Sequence, residues 1–239
     1  MRILDFPFTD SWVFPHPALT RDGELPLISG GNLTVERLLT AYAWGIFPWY
    51  SEGYPVSWYS LIPRCIIKPS EAIIEKNLRP ILKKNLYQVT FDAAFDQVIS
   101  HCARVQRSGQ RGTWITRDLK NSFIKLHKMH WVHSVEVWEN EELVGGLYGM
   151  AIGKVFFGES MFHLRSNASK IAFAYLISLL RSLDYTMIDC QMESPLVNRF
   201  GATLVDGDYF YAVLKQNLLE DSDNFSWQSL KIQTPLFNQ

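Results

Sequence analysis

The part of the chain that most restricts its fold lies between residues 134 and 191. Residues 134–138, 143–152 and 154–162 read as three successive antiparallel strands, with polar turns at 139–142 and near Gly153 between them. Residues 168–183 follow as a strongly apolar helix and 186–191 as one more strand. A strand meander, a helix and a further strand define an α+β sheet domain.

The remaining segments fit around that sheet. Residues 1–32 are rich in Pro, Gly and Asp and read as an irregular arm. Thr34 can cap a helix whose apolar face is Val35, Leu38, Leu39 and Tyr42, with Gly45 as its stop. An aromatic, Pro-bearing stretch, 46–63, comes next. The expected division is a small, irregular, aromatic-rich N-terminal domain (1–63), a sheet domain (64–220) and a C-terminal tail (221–239). Within the sheet domain, 64–68 reads as a strand and 70–84 as a helix or two, broken near Arg79-Pro80. The polar side of that helix carries Lys76, Arg79, Lys83 and Lys84. Residues 87–91 read as a strand, and Asp92 can cap a helix running to about 104. Residues 104–112 read as a flexible basic loop, Thr116 can cap the next helix, and 209–219 read as the last one.

Composition excludes several classes. The 239 residues are 47% apolar and 20% charged, enough to bury a sizeable core without staples. With 23 basic and 24 acidic residues the net charge is −1, so any contact with nucleic acid must come from a local basic patch. Three scattered cysteines, Cys65, Cys102 and Cys190, suit a reducing compartment better than a disulfide framework. The first ten residues lack the apolar run of an export signal. The longest apolar stretch, 171–180, is about half of what a bilayer span requires. A soluble cytoplasmic protein is expected.

Aromatic residues reach 14%, with 8 Trp, and Phe47, Trp49, Tyr50, Tyr54, Trp58 and Tyr59 crowd one short stretch. Such rings build cores, and they also stack on unpaired bases. His127, His130 and His133 recur every three residues, but no cysteine or carboxylate joins them closely, and no metal site is expected. Neither a G-x-S-x-G nucleophile turn nor a phosphate-binding glycine loop is present. Gly145-Gly146 marks a bulge or a close backbone approach. Two polar clusters stand out. Glu159, in Gly158-Glu159-Ser160, is flanked by Phe156-Phe157 and Met161-Phe162, where a carboxylate needs a partner or a solvent-facing side. Strand alternation places Asp189 and Gln191 on one face, either as a working acid–amide pair or as a surface strand end. The helix beginning near residue 168, with Ser166 or Asn167 as cap and Arg165 and Lys170 nearby, could attract an anion or be an ordinary capped helix.

The runs GIFPWYS (45–51), GTWIT (112–116), HSVEVW (133–138), ELVGGLYG (142–149), FFGESMF (156–162), NASK (167–170) and IDCQ (188–191) occur together in this order. From about residue 29 to 214 the chain resembles the leucyl/phenylalanyl-tRNA–protein transferases. The resemblance implies a Gcn5-related N-acetyltransferase-like (GNAT) sheet domain preceded by a small N-terminal domain. It implies transfer of leucine, less efficiently phenylalanine or methionine, from aminoacyl-tRNA to the α-amine of proteins beginning with Arg or Lys. That transfer marks them for degradation by the N-end rule, without metal or coenzyme. The enzyme is expected to be a monomer with no membrane association.

By the same resemblance, Asp189 and Gln191 are the pair that activates the amine, and Glu159 is a carboxylate near the aminoacyl group. Trp49 and Trp114 flank the terminal adenosine. Leu147, Phe156, Gly158, Met161 and Ile188 form the side-chain pocket; some members have Met where Leu147 stands. Leu196 and Arg199 replace a His and a Ser of many members, and His163 replaces a small polar residue. A neutral carboxamide is a poor base, so Gln191 is expected to orient the amine while Asp189 polarises it or stabilises the developing ammonium, with the tRNA 2′-hydroxyl as proton relay. Lys76, Arg79, Lys83 and Lys84 are the candidate tRNA patch. Two other readings compete. A CoA-dependent N-acetyltransferase would favour a glycine-rich turn where RSNASK (165–170) has none. A non-catalytic RNA-binding module would have no use for Glu159, Asp189 and Gln191 together.

Overall fold

In a computed structural model, residues 14–17, 25–105, 113–218, 220–222, 224–231 and 234–235 are described. The basic loop 104–112 and most of the arm 1–32 therefore fall largely outside them. Two sheets organise the rest. The smaller one contains β1 (Ile28–Ser29), β2 (Phe47–Pro48) and β3 (Ser57–Tyr59), antiparallel in the order β1-β3-β2. Between β1 and β2 runs α1 (Val35–Ala43), capped by the Thr34 hydroxyl, which accepts from the Arg37 amide. Gly45 follows it with φ +70°, the left-handed geometry that ends many helices.

The larger sheet has seven strands: β4 (Arg64–Ile67), β5 (Gln88–Phe91), β6 (Val132–Glu139), β7 (Glu142–Ile152), β8 (Val155–His163), β9 (Met187–Gln191) and β10 (Thr203–Val205). Their order is β10-β4-β9-β8-β7-β6-β5. The β6-β7-β8 meander is antiparallel as its sequence predicts. β8 and β9 are parallel, because α5 (Ala168–Ser182) carries the chain back before β9 begins. One face of the sheet packs on α3 (Phe95–Arg104), α4 (Arg117–Lys128), α1 and α7 (Gly207–Asn217), with Phe157, Tyr42, Phe95, Phe123 and Phe210 in its core. The other packs on α5, with Phe156, Leu176, Ile188 and Phe200. α5 is apolar on nearly every side because it lies between the sheet and the segments around α2 (Arg79–Lys84) and α6 (Pro195–Arg199).

Several expectations change. Pro80 does not break a helix. It sits in the first turn of α2, where its missing N–H costs nothing, and only a short 3-10 turn, Pro69–Glu71, precedes it. Asp92 does not cap α3, whose N-cap is Ala94. Instead, at φ +53°, its carboxylate accepts from His133 Nδ1 at 2.8 Å and from the amides of Ser134 and Trp227. Asn167 precedes α5 in a left-handed conformation without a side-chain cap bond, and Arg165 is engaged by Glu139 and Glu142. Of the tail, Trp227 is fully buried against the main sheet. No helix among the described residues is long and apolar enough to cross a membrane.

Candidate active site

β8 and β9 stay together for only three residue pairs, Val155–Met187, Phe156–Ile188 and Phe157–Asp189. Beyond that point β9 stops at Gln191, where φ is +55°, while β8 continues to His163 along β7 alone. A bulge helps β8 to bend away: Tyr148 pairs with Ser160 and Gly149 with Gly158, which leaves Glu159 without a partner on β7. Gly149 is required there, since a Cβ would strike the Phe157 carbonyl oxygen and the Phe156 ring. At Gly158 a Cβ would meet only the Asp189 carbonyl oxygen, at 3.6 Å.

The parted strands enclose a cavity of about 590 Å³, within the roughly 300–1,000 Å³ of small-molecule sites. Leu147, Phe156, Met161 and Ile188 line it, together with Phe173 and Leu176 of α5. Its polar edge carries Glu159, Ser160, Cys190 and Gln191. The cavity therefore has a greasy depth fit for an aliphatic or aromatic side chain, and hydrogen-bonding groups at its mouth.

Glu159 and Asp189 behave differently. Burial pushes the Glu159 carboxyl up to about 8; the Tyr42 hydroxyl pulls it down, the Asp189 charge up and the Arg64 charge down. At neutral pH Glu159 is thus mostly the uncharged acid. Burial first, and then Glu159 itself, raise the Tyr42 hydroxyl well above its ordinary value. The two groups influence each other without a hydrogen bond of normal geometry: Tyr42 Oη and Glu159 Oε1 are both buried and lack one. Asp189 has no exposed surface. Its Oδ1 accepts from Arg64 Nε at 2.8 Å and from the Gln191 amide at 2.9 Å, and its Oδ2 from Arg64 Nη2 at 2.6 Å. Removing one partner of such a buried pair typically costs about 3–5 kcal/mol.

The residues singled out from sequence are distributed unevenly. Leu147, Phe156, Gly158, Glu159, Met161, Ile188 and Gln191 all line the cavity. Asp189 stands behind it. The acid and the amide do not pair through side chains, as the alternation suggested, but through the Gln191 backbone. Trp49 and Trp114 are not among the lining residues; both are partly buried against the core on the α3 face, and Trp49 meets Tyr59 edge-on at 5.6 Å. Lys76, Lys83 and Lys84 are exposed, whereas Arg79 is half-buried, its Nε donating to the Ile74 carbonyl at 3.2 Å. The histidines divide: His133 and His127 face Asp92. Cys190 is partly exposed at the cavity edge. Sequence reading missed Arg64 and Tyr42. For Arg64 the signal was present: a lone cation in the buried run Arg-Cys-Ile-Ile answers a lone carboxylate in Met-Ile-Asp-Cys-Gln.

An apolar cavity in a parted mixed sheet, edged by carboxyl and carboxamide groups, defines the core of a ligand-transforming α+β protein. Residues 66–215 match the family described as leucyl/phenylalanyl-tRNA protein transferase, and residues 31–61 match its N-terminal domain. Curated relatives named leucyl/phenylalanyl-tRNA–protein transferase include one from Lawsonia intracellularis, 48% identical over 84% of this chain and 88% of the relative. Others come from Maridesulfovibrio salexigens, 43% identical over 92% and 91%, and Syntrophobacter fumaroxidans, 43% identical over 93% and 95%. The chain belongs to this family, and with it to the aminoacyltransferases. Among solved structures, L-PGS from Bacillus licheniformis aligns with a TM-score of 0.39 and 12% identity, covering 76% of this chain and 56% of that one; so remote a likeness carries no argument.

Proposed function

We propose that this protein moves leucine, and less readily phenylalanine or methionine, from aminoacyl-tRNA onto the α-amine of proteins that begin with Arg or Lys, marking them for N-end-rule degradation. The observation that supports this most is the cavity between β8 and β9, apolar within and polar at the lip. The esterified side chain enters among Leu147, Phe156, Gly158, Met161 and Ile188, which leaves its carbonyl at the mouth beside Gln191 and Glu159. The acceptor nitrogen attacks the ester carbonyl carbon and an amide bond forms. The bond to the ribose oxygen breaks, that oxygen leaves with its electron pair and gains a proton, and the nitrogen loses one. An α-amine, with a pKa of about 7.7–8.0, is roughly a tenth neutral near pH 7, whereas a lysine side chain is almost wholly charged. The reaction thus asks more of positioning than of a strong base.

In this reading Gln191 aims the amine. Asp189, whose carboxylate is already occupied by Arg64 and the Gln191 amide, fixes Gln191 and supplies a negative field rather than taking the proton, which passes through the tRNA 2′-hydroxyl. Glu159 contributes an uncharged carboxyl near the aminoacyl group. Trp49 and Trp114 hold the terminal adenosine, and Lys76, Arg79, Lys83 and Lys84 meet the tRNA backbone. The fold is read as GNAT-like, with a small N-terminal domain ending near residue 63, in a cytoplasmic monomer. Incubation with leucyl-tRNA and a peptide beginning with Arg tests the whole: the peptide is expected to gain one leucyl residue by mass, and an unchanged peptide overturns the proposal.

A further inference from the structure

Arg64 is a fully buried cation that is not among the residues lining the cavity, and the reaction above gives it no contact with substrate. It opens β4 and is 1% exposed. Its guanidinium lies between two rings, 5.2 Å from the Phe47 centroid and 4.6 Å from that of Phe210. Nη2 donates to the Gly45 carbonyl at 3.1 Å as well as to Asp189. Nη1 is buried with no acceptor, so the orientation of the group does not serve its own saturation. What the orientation does achieve is a two-toothed grip on Asp189, whose Oδ1 in turn holds the amide of Gln191. Gln191 needs holding, because a non-glycine residue at φ +55° sits in a strained backbone region.

We propose that Arg64 is a positioning residue for the transfer reaction: through Asp189 it fixes the left-handed turn that presents Gln191 to the cavity mouth, and through Gly45 and Phe47 it sets that turn against the N-terminal segment. This rests on the reading that Gln191 aims the acceptor amine. Geometry distinguishes the role from plain charge balance. A lysine at 64 would neutralise Asp189 as well, but a point cation lacks the planar fork that fixes the carboxylate plane.

Arg64→Lys is therefore the informative change, measured with leucyl-tRNA and an Arg-initiated peptide on protein shown to be folded by circular dichroism. The expected result is a kcat at least tenfold lower with KM for leucyl-tRNA within twofold of wild type, since the cavity that grips the leucyl group is untouched. A folded variant with kcat within twofold of wild type overturns the proposal. Should Arg64→Lys not fold, Arg64→Met combined with Asp189→Asn leaves no unpaired buried charge and takes its place. Its kcat is expected to be at least tenfold below wild type and about equal to that of Asp189→Asn alone, as both changes cut one line of support. A wild-type kcat, or a further tenfold loss beyond Asp189→Asn, counts against it. Gln191→Ala separates the layers: if it loses activity while Arg64→Lys does not, only the positioning role fails; if it keeps wild-type kcat, the reading of Gln191 and the role of Arg64 fall together.

Discussion

The indole of Trp227 lies flat on the imidazole of His133, with ring centroids 3.8 Å apart and planes inclined by 6°. The backbone amide of Trp227 donates to Asp92, the same carboxylate that bonds His133. The indole also meets the ring of Phe156, centroids 6.1 Å apart and planes inclined by 28°, and Phe156 is a wall of the cavity. The C-terminal segment therefore backs the inner wall of the site through the Trp227 side chain.

Trp227→Ala removes that backing. Truncating a buried tryptophan costs about 3–5 kcal/mol, and the loss is expected as a lower urea midpoint at unchanged slope. A midpoint equal to wild type would mean that the stack contributes nothing to holding the fold.

Much of this arrangement was legible in the chain, for reasons that differ by element. The β6-β7-β8 meander and α5 were readable because their apolar periods are long and unbroken. The wall residues Leu147, Phe156, Met161 and Ile188 followed from the family resemblance and occupy one cavity. Asp92 was misread because a residue before an amphipathic run is usually a cap, and its partners, His133 and Trp227, lie 41 and 135 residues away. The short elements α6 and β10 carry too few residues to show a period. Arg64 escaped because its signal is split between two runs 125 residues apart, and only the pairing of β4 with β9 brings the lone cation to the lone carboxylate.

Glu159 gives a pH signature. Its carboxyl rises from an ordinary 4.5 to about 8 on folding, so the folded state retains a proton that the unfolded state releases. Stability from this group is complete below about 4.5 and declines as pH climbs to about 8. Glu159→Gln removes that decline. Relative to wild type the variant is expected to gain stability between those limits, on the order of a few kcal/mol at the upper end, read from melting curves at several pH values. Parallel curves for the two proteins would show that Glu159 ionises normally.

Met161 forms part of the apolar wall. Shortening it to alanine enlarges the cavity, so that a side chain branched at Cβ, close to leucine in size, is turned away less sharply by shape. The preference for leucyl- over isoleucyl-tRNA is expected to fall roughly tenfold, the scale of one or two methylene groups in a specificity pocket. Competition between the two charged tRNAs measures it, and an unaltered ratio would place the discriminating surface elsewhere.

Lys83 and Lys84 occupy the last turn of α2 and are exposed. If they face tRNA phosphates, replacing both by alanine reduces the slope of log K against log salt by roughly 1 to 2. Titrations at several salt concentrations decide it; an identical slope assigns these lysines only to the end of the helix dipole.

The two glycines opposed across the β7–β8 bulge differ in what they leave open to redesign. Position 149 has no room for even a methyl group, whereas position 158 faces an ordinary van der Waals distance of 3.6 Å to the Asp189 carbonyl. Gly158 is thus a dial on the lining of the cavity: one added carbon there narrows the chamber while the strands keep their parting, and the largest guests are the first to be refused.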